Sequence, residues 1–257
     1  MVITMSQPQI SFRDVSFTYS DGTTALKDIS LDINSNEICV VFGPARSGKT
    51  TLLRLLNRLS DLNEGSHREG TVLLNGQNIF ARETDVSTLR RRVSMVFAMP
   101  TPLPGTIRDN LTYGLRMAGT QDKGLLEERV EQSLTQAGLW DEVKDRLDSS
   151  AFALSGGQQQ RLCLARSLAL EPEVIVLDKP TSGLDPLSTG IVEDSLQSLK
   201  QQYTIVVVPH SPQQGARIGD SAAFLLDGNL VEAGPANQIF GSPGDQRTQD
   251  YITGRYG

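Results

Sequence analysis

One string, Gly43-Pro44-Ala45-Arg46-Ser47-Gly48-Lys49-Thr50-Thr51, narrows the folds open to this chain more than any other stretch. It fits the pattern G-x-x-x-x-G-K-[ST], a tight turn whose successive backbone N–H groups face inward and cradle phosphates. Gly43 and Gly48 permit close backbone approach, Lys49 is placed to reach the β- and γ-phosphates, and Thr50 to put its hydroxyl on Mg²⁺. The context makes the pattern specific. Residues 37–42 are apolar after Glu37 and read as a buried strand, whereas residues 51–59 have helical spacing. Strand, glycine turn and helix together aim a helix N-terminus at an anion.

The remaining 248 of the 257 residues leave ample chain for a sizeable core around that turn. A net charge of -6 excludes a broadly basic nucleic-acid surface. The two cysteines, Cys39 and Cys163, both lie in apolar stretches and read as buried free thiols. No basic flank or long apolar run marks residues 1–9 as a leader, and no apolar run reaches the ~20 residues of a bilayer span. Any membrane role is therefore expected through a partner.

Along the chain, residues 10–19 and 25–33 read as strands. Tyr19, at the end of the first, admits two readings: stacking on adenine, or packing at a sheet edge. Residues 60–70 are polar and read as a loop, 71–79 as a strand with an Asn75-Gly76 turn, and 85–92 as a short helix whose Arg90-Arg91-Arg92 cluster suits a solvated face. Residues 93–97 form a short buried strand, ending at a loop that Pro100, Pro102 and Pro104 hold extended. From 106 to 149 charges interleave with leucines and valines at helical spacing. Ser155 is a good N-cap for a helix opening Ser155-Gly156-Gly157-Gln158 and running to about residue 170, a second anion-facing terminus. Residues 173–178 and 203–208 are buried strands, the first ending in Asp178 and the second followed by His210; 187–201 is a helix. A hairpin is expected around Asp227-Gly228, then a mixed polar tail over 235–257. Alternating strands and helices predict an α/β fold with a mainly parallel sheet.

Taken together these strings resemble the ATP-binding subunit of ABC transporters. The order matches: the phosphate loop, Leu154-Ser155-Gly156-Gly157-Gln158 as signature, the strand ending at Asp178, Ser182-Gly183-Leu184-Asp185 as D-loop, and His210 as switch histidine. Within that family the chain is most similar to phosphate-import ATPases, through Pro100-Thr101-Pro102-Leu103-Pro104, Leu154 to Arg166 and the near-terminal Asp250-Tyr251-Ile252-Thr253-Gly254-Arg255. The resemblance implies a P-loop NTPase core with an antiparallel N-terminal β subdomain and an inserted helical lobe at about 98–171, in one domain over 10–257 whose core is 10–97 and 172–257. It also implies two ATP molecules in a head-to-tail dimer with a second ATPase subunit. Each would lie between the Gly43–Thr51 loop of one copy and the helix start Ser155, Gly156, Gly157 and Gln158 of the other, with Asp178 and Asp185 also at the nucleotide and Thr50 and Asp178 on Mg²⁺; Tyr19 keeps its two readings. Two transmembrane permease subunits, a peripheral place on the cytoplasmic face of the membrane, and no nucleic-acid partner follow from the same resemblance.

The sequence departs from the family at two chemical positions. Lys179 stands where the family has the glutamate that polarises the attacking water, and Ala98 where it has a glutamine. A protonated lysine has no lone pair to take a proton, and losing a general base lowers a rate by about 10²–10⁴. Binding and turnover therefore separate: Mg-ATP binding is expected, hydrolysis is expected to be slow or absent. The alternatives are a nucleotide-binding regulatory subunit or the degenerate half of a heterodimer. A soluble ATPase acting on nucleic acid ranks last, because no internal repeat is visible.

Overall fold

A computed structural model describes residues 8–255; the expected absence of a leader falls almost wholly outside them. The chain builds β1 (Ile10–Thr18), β2 (Thr24–Ile33) and β3 (Ile38–Phe42), then α1 (Lys49–Leu56), β4 (His67–Leu74), β5 (Gln77–Asn78), α2 (Val86–Arg92) and β6 (Val93–Val96). Four helices follow, α3 (Ile107–Met117), α4 (Lys123–Gln136), α5 (Trp140–Val143) and α6 (Gly156–Leu168). The chain then returns through β7 (Val174–Asp178), α7 (Pro186–Leu199), β8 (Thr204–Val208), α8 (Pro212–Ile218), β9 (Ser221–Leu226), β10 (Asn229–Pro235), α9 (Ala236–Gly241) and α10 (Gln246–Ile252).

Two sheets result. One is antiparallel, in the order β2-β1-β4-β5; the other runs β10-β9-β3-β8-β7-β6, parallel except for β10. Side chains alternate across a strand, so each central strand of the larger sheet feeds two cores. Ile38, Val40 and Phe42 join Ile175, Leu177, Ile205 and Val207 against the helical lobe. Cys39 and Val41 join Val174, Val176, Val206 and Val208 against α1 and the antiparallel sheet. Burial on both faces is why these strands are continuously apolar rather than alternating. Leu52, Leu53 and Leu55 of α1 are at most 1% exposed, each contributing about 1.5–3 kcal/mol by leaving water. That packing fixes the N-terminus of α1 over the ends of β3, β7 and β8. Cys39 and Cys163 are buried and free.

Three expectations need correcting. The polar segment before residue 71 is not all loop: β4 starts at His67 and pairs Arg68 with Phe17 and His67 with Thr18. The tail carries α9 and α10, whose six and seven residues are too few to print a clear period on the sequence. The arginine cluster is not a solvated face. Arg90 donates to the carbonyls of Asn57 (3.2 Å) and Arg58 (3.1 Å) just past the end of α1, and Arg92 pairs with Glu173 at 2.5 Å. Only Arg91 stays exposed, bonded within α2 to Thr88. Both Asn-Gly and Asp-Gly turns are present with positive φ at each residue: 50° and 76° at Asn75 and Gly76, 49° and 81° at Asp227 and Gly228. No described helix is long and apolar enough to cross a membrane.

Candidate functional site

The loop between β3 and α1 is shaped by three left-handed residues, Gly43 (φ 145°), Arg46 (φ 63°) and Gly48 (φ 94°). Neither glycine has room for a side chain. A Cβ on Gly43 would lie 2.0 Å from Leu225 O, and one on Gly48 would lie 2.3 Å from Ala25 O. Gly48 is the N-cap of α1 and brings no side-chain cap, and the first turn holds no acidic residue. The orphan N–H groups and the positive end of the helix dipole are left for an external anion. Lys49 Nζ lies within the loop, donating to Pro44 O at 2.5 Å and to Ser47 Oγ at 3.1 Å. Its pKa is lowered to about 8, first by burial and then by the neighbouring Lys179 charge, with Asp178 opposing both.

The loop opens on a cavity of about 370 Å³ lined by Tyr19, Thr23, Thr24, Ala25, residues 45–51 and Lys179. Tyr19 packs at the sheet edge as one of its readings expected. It lines this cavity, yet its ring also stands edge-on to Phe17 at 5.0 Å and its hydroxyl lies 2.8 Å from Thr51 Oγ1. A second cavity of about 140 Å³ lies on the other side of Lys49, lined by Phe42, Gly43, Ala45, Lys179, His210 and Tyr251 among others. The two share Ala45, Lys49 and Lys179. Thr50 Oγ1 donates to Asp178 Oδ2 at 2.7 Å. A hydroxyl and a carboxylate beside a phosphate cradle suit Mg²⁺, which takes one or two protein oxygens and completes its shell with phosphates and water. Among the described residues no group of three or more His, Cys, Asp or Glu could hold a metal alone.

Lys179 is exposed and left-handed (φ 51°), and its backbone N–H donates to Val208 O at 2.8 Å. The bond ties the end of β7 to the end of β8 and sets Lys179 beside Lys49. Ala98 lies in the bend after β6, partly exposed between exposed Phe97 and Met99, and lines neither of these cavities. His210 is exposed beyond β8.

Ser155, Gly156, Gly157 and Gln158 open α6 and line neither cavity. Ser155 and Gln158 cap one another in a capping box, and Gln158 Nε2 donates to Glu142 Oε2 at 2.7 Å. Buried Arg161 holds the same carboxylate at 2.6 Å, which keeps Glu142 below the usual carboxylate range. Asp185 serves α7: it is the N-cap, accepting from Ser188 N at 2.9 Å and from Ser188 Oγ at 2.6 Å.

Sequence reasoning missed Gln214 and the role of Tyr251. Gln214, only 4% exposed, accepts from His210 N at 2.8 Å and donates to Thr181 Oγ1 at 2.9 Å and to Glu193 Oε1 at 3.0 Å. It joins the histidine's loop to the loop after Asp178. The signal available was a Gln at N3 of a helix opened by Ser211-Pro212, four residues after His210. Tyr251 in α10 donates its phenol to Gly43 O at 2.8 Å, within an aromatic cluster with Phe42 and Phe224.

Comparison with known proteins adds a family model, two relatives and two solved structures. The family model described as ABC transporter matches residues 26–182. The phosphate import ATP-binding protein PstB 1 of Streptococcus agalactiae serotype III (strain NEM316) is 49% identical over 253 residues, covering 98% of this chain and all of that protein. PstB of Idiomarina loihiensis is also 49% identical, covering 98% of this chain and 92% of its own. Among solved structures, cbiO1 from Clostridium perfringens superposes with a TM-score of 0.81 at 24% identity over 97% of both chains. The ATP-binding cassette MJ0796, a dimer bound to ADP and Pi, gives 0.76 at 27% identity over 88% of this chain and 98% of its own.

Proposed function

The chain belongs to the ABC transporter family as an ATP-binding subunit, and from that premise we propose that it powers an importer of inorganic phosphate, binding Mg-ATP tightly and hydrolysing it slowly. The observation that carries the binding half is the uncapped N-terminus of α1 facing a cavity with Lys49 inside its loop. Thr50 and Asp178 would hold Mg²⁺, which would neutralise charge on the β- and γ-phosphates. Tyr19 would meet the adenine end. His210, on the smaller cavity, would donate to the γ-phosphate.

The slow half rests on Lys179. It follows Asp178, the last residue of β7, at the position where the family resemblance puts the water-polarising glutamate, and its ammonium is a donor only. Ala98 offers no side-chain amide to hold that water or to report nucleotide state. Phosphate as the solute comes from the names of the 49% identical relatives. Two permease subunits on the cytoplasmic face fit the exposed Met99, Tyr113 and Met117, which are 76%, 57% and 73% exposed near the proline loop and on α3.

Signature residues lie apart from the loop within one chain, so they act on the nucleotide of a second copy placed head to tail. An intact capping box there also supports a second reading, in which this chain completes the working site of a different ATPase subunit. The test is ATP turnover by the purified chain against Lys179→Glu and the Lys179→Glu/Ala98→Gln double variant. Restoring the carboxylate should raise turnover by about 10²–10⁴; a wild-type chain already turning over at the variant's rate would defeat the assignment. Co-purification from cells separates the two readings, since a partner ATPase subunit favours the heterodimer and self-association the homodimer.

A further inference from the structure

We infer that Gln214 is a positioning residue for the triphosphate: its buried side-chain amide holds His210 in place at the γ-phosphate and ties that contact to the segment after Asp178. The inference rests on the reading above that puts His210 on the γ-phosphate, and adds what keeps it there.

His210 is exposed at the smaller cavity, and its main chain is what the fold grips. Its N–H donates to Gln214 Oε1 at 2.8 Å, two residues after Val208 O accepts from Lys179 N at 2.8 Å. From the other end of the same amide, Gln214 Nε2 donates to Thr181 Oγ1 at 2.9 Å and to Glu193 Oε1 at 3.0 Å. Thr181 is itself buried, and its carbonyl accepts from Leu184 N at 3.2 Å in the turn that leads to Asp185. Glu193, on α7, is held in turn by Arg217 of α8 at 2.7 Å. One side chain thus joins the histidine's loop, the loop after Asp178 and α7.

An amide meets these demands where a carboxylate cannot. A backbone N–H only donates and an ionised Glu193 only accepts, so the group between them must offer an acceptor and a donor. Glutamate at 214 would set carboxylate against carboxylate. Methionine would leave His210 N, Thr181 Oγ1 and Glu193 each short of a partner, which is costly for groups out of water. The amide's orientation is also fixed: His210 N takes Oε1, so Nε2 must face Thr181 and Glu193. A nucleoside diphosphate lacks the phosphate that would engage His210, and so is the reference against which the role of Gln214 is read.

The experiment measures equilibrium binding, to the full chain in magnesium, of ADP and of an ATP analogue with an imido β–γ bridge, so that hydrolysis plays no part. The quantity read is the preference for triphosphate over diphosphate. His210→Ala should cut it about tenfold, the loss of a hydrogen bond to a charged group. Gln214→Met, which keeps the side-chain length, should cut it about threefold or more. Both changes together should cost no more than His210→Ala alone, since both act on one contact. Thr181→Val removes the hydroxyl and keeps the shape; it should lower the preference about twofold, and it decides the matter if thermal unfolding shows that Gln214→Met does not fold. A packing role alone would weaken both nucleotides alike and add to the effect of His210→Ala. That result, or a wild-type preference in the folded Gln214 and Thr181 variants while His210→Ala loses it, would overturn the inference and leave the ATP-binding reading standing. An unchanged preference in His210→Ala would overturn the inference together with the placement of His210, and a wild-type chain that binds neither nucleotide would overturn the ATP-binding reading as well.

Discussion

Two helix starts in this molecule look alike in sequence and differ in what they do with their free N–H groups. The start of α6 satisfies its own: Ser155 and Gln158 cap one another, and Glu142 and Arg161 clamp the arrangement. The start of α1 satisfies none with a side chain; its cap is a left-handed glycine, and its first residue is a lysine. Placing a cation at the positive end of a helix dipole opposes folding, as does the burial of that cation, which draws Lys49 down to about 8. The phosphate loop is shaped by its glycines, by the leucines beneath it and by the two hydrogen bonds that Lys49 donates within it, and not by a side-chain cap. The signature end is capped by its own side chains.

The comparison can be broken most severely at Gly48. Gly48→Ala forces a side chain against Ala25 O and should abolish triphosphate binding, with about 1–3 kcal/mol lost from backbone strain; binding and thermal unfolding read both. Next is Lys49→Met, for which ATP affinity should fall by about tenfold or more while the ligand-free chain unfolds at an equal or higher temperature. A drop in stability there would show that the lysine supports the loop. At the other terminus, Ser155→Ala should destabilise by about 1 kcal/mol, or some 2–4 °C for a chain of this size, without weakening ATP binding to the isolated chain. Smallest is the acid effect at Glu142. Its folded pKa lies below the ordinary 4.5, so the clamp's contribution is fully present above that pH and fades as pH falls through the lower folded value. Glu142→Gln should flatten this part of the acid unfolding curve.

What could be read from sequence followed from how strongly a residue's burial is dictated. β3, β7 and β8 serve two cores and so are apolar throughout, which made them plain. The first half of β4 was hidden because its residues face water on an edge pairing, and α8, α9 and α10 because each spans two turns or fewer. The phosphate loop was fully legible, since its spacing is set by one local structure. Gln214 was not, because its partners His210, Thr181 and Glu193 come together only through the parallel order of β7 and β8. Asp185 was legible as a motif residue, whereas its bonds to Ser188 follow from its place at the start of α7. The arginines at 90 and 92 were misread because neither the carbonyls past the end of α1 nor Glu173 is near them in sequence.

The phenol of Tyr251 sits on the carbonyl of Gly43, so the chain's far end is wired to the grip on the nucleotide. Tension on the tail reaches the loop through this bond and through the packing of Tyr251 on Phe42 and Phe224. A protein trimmed ahead of Gln246 would keep both sheets and lose this tether, and a bulky fusion after the last helix would pull on the same thread. Loss of α10 would therefore be felt at Gly43 and at the smaller cavity that Tyr251 also lines.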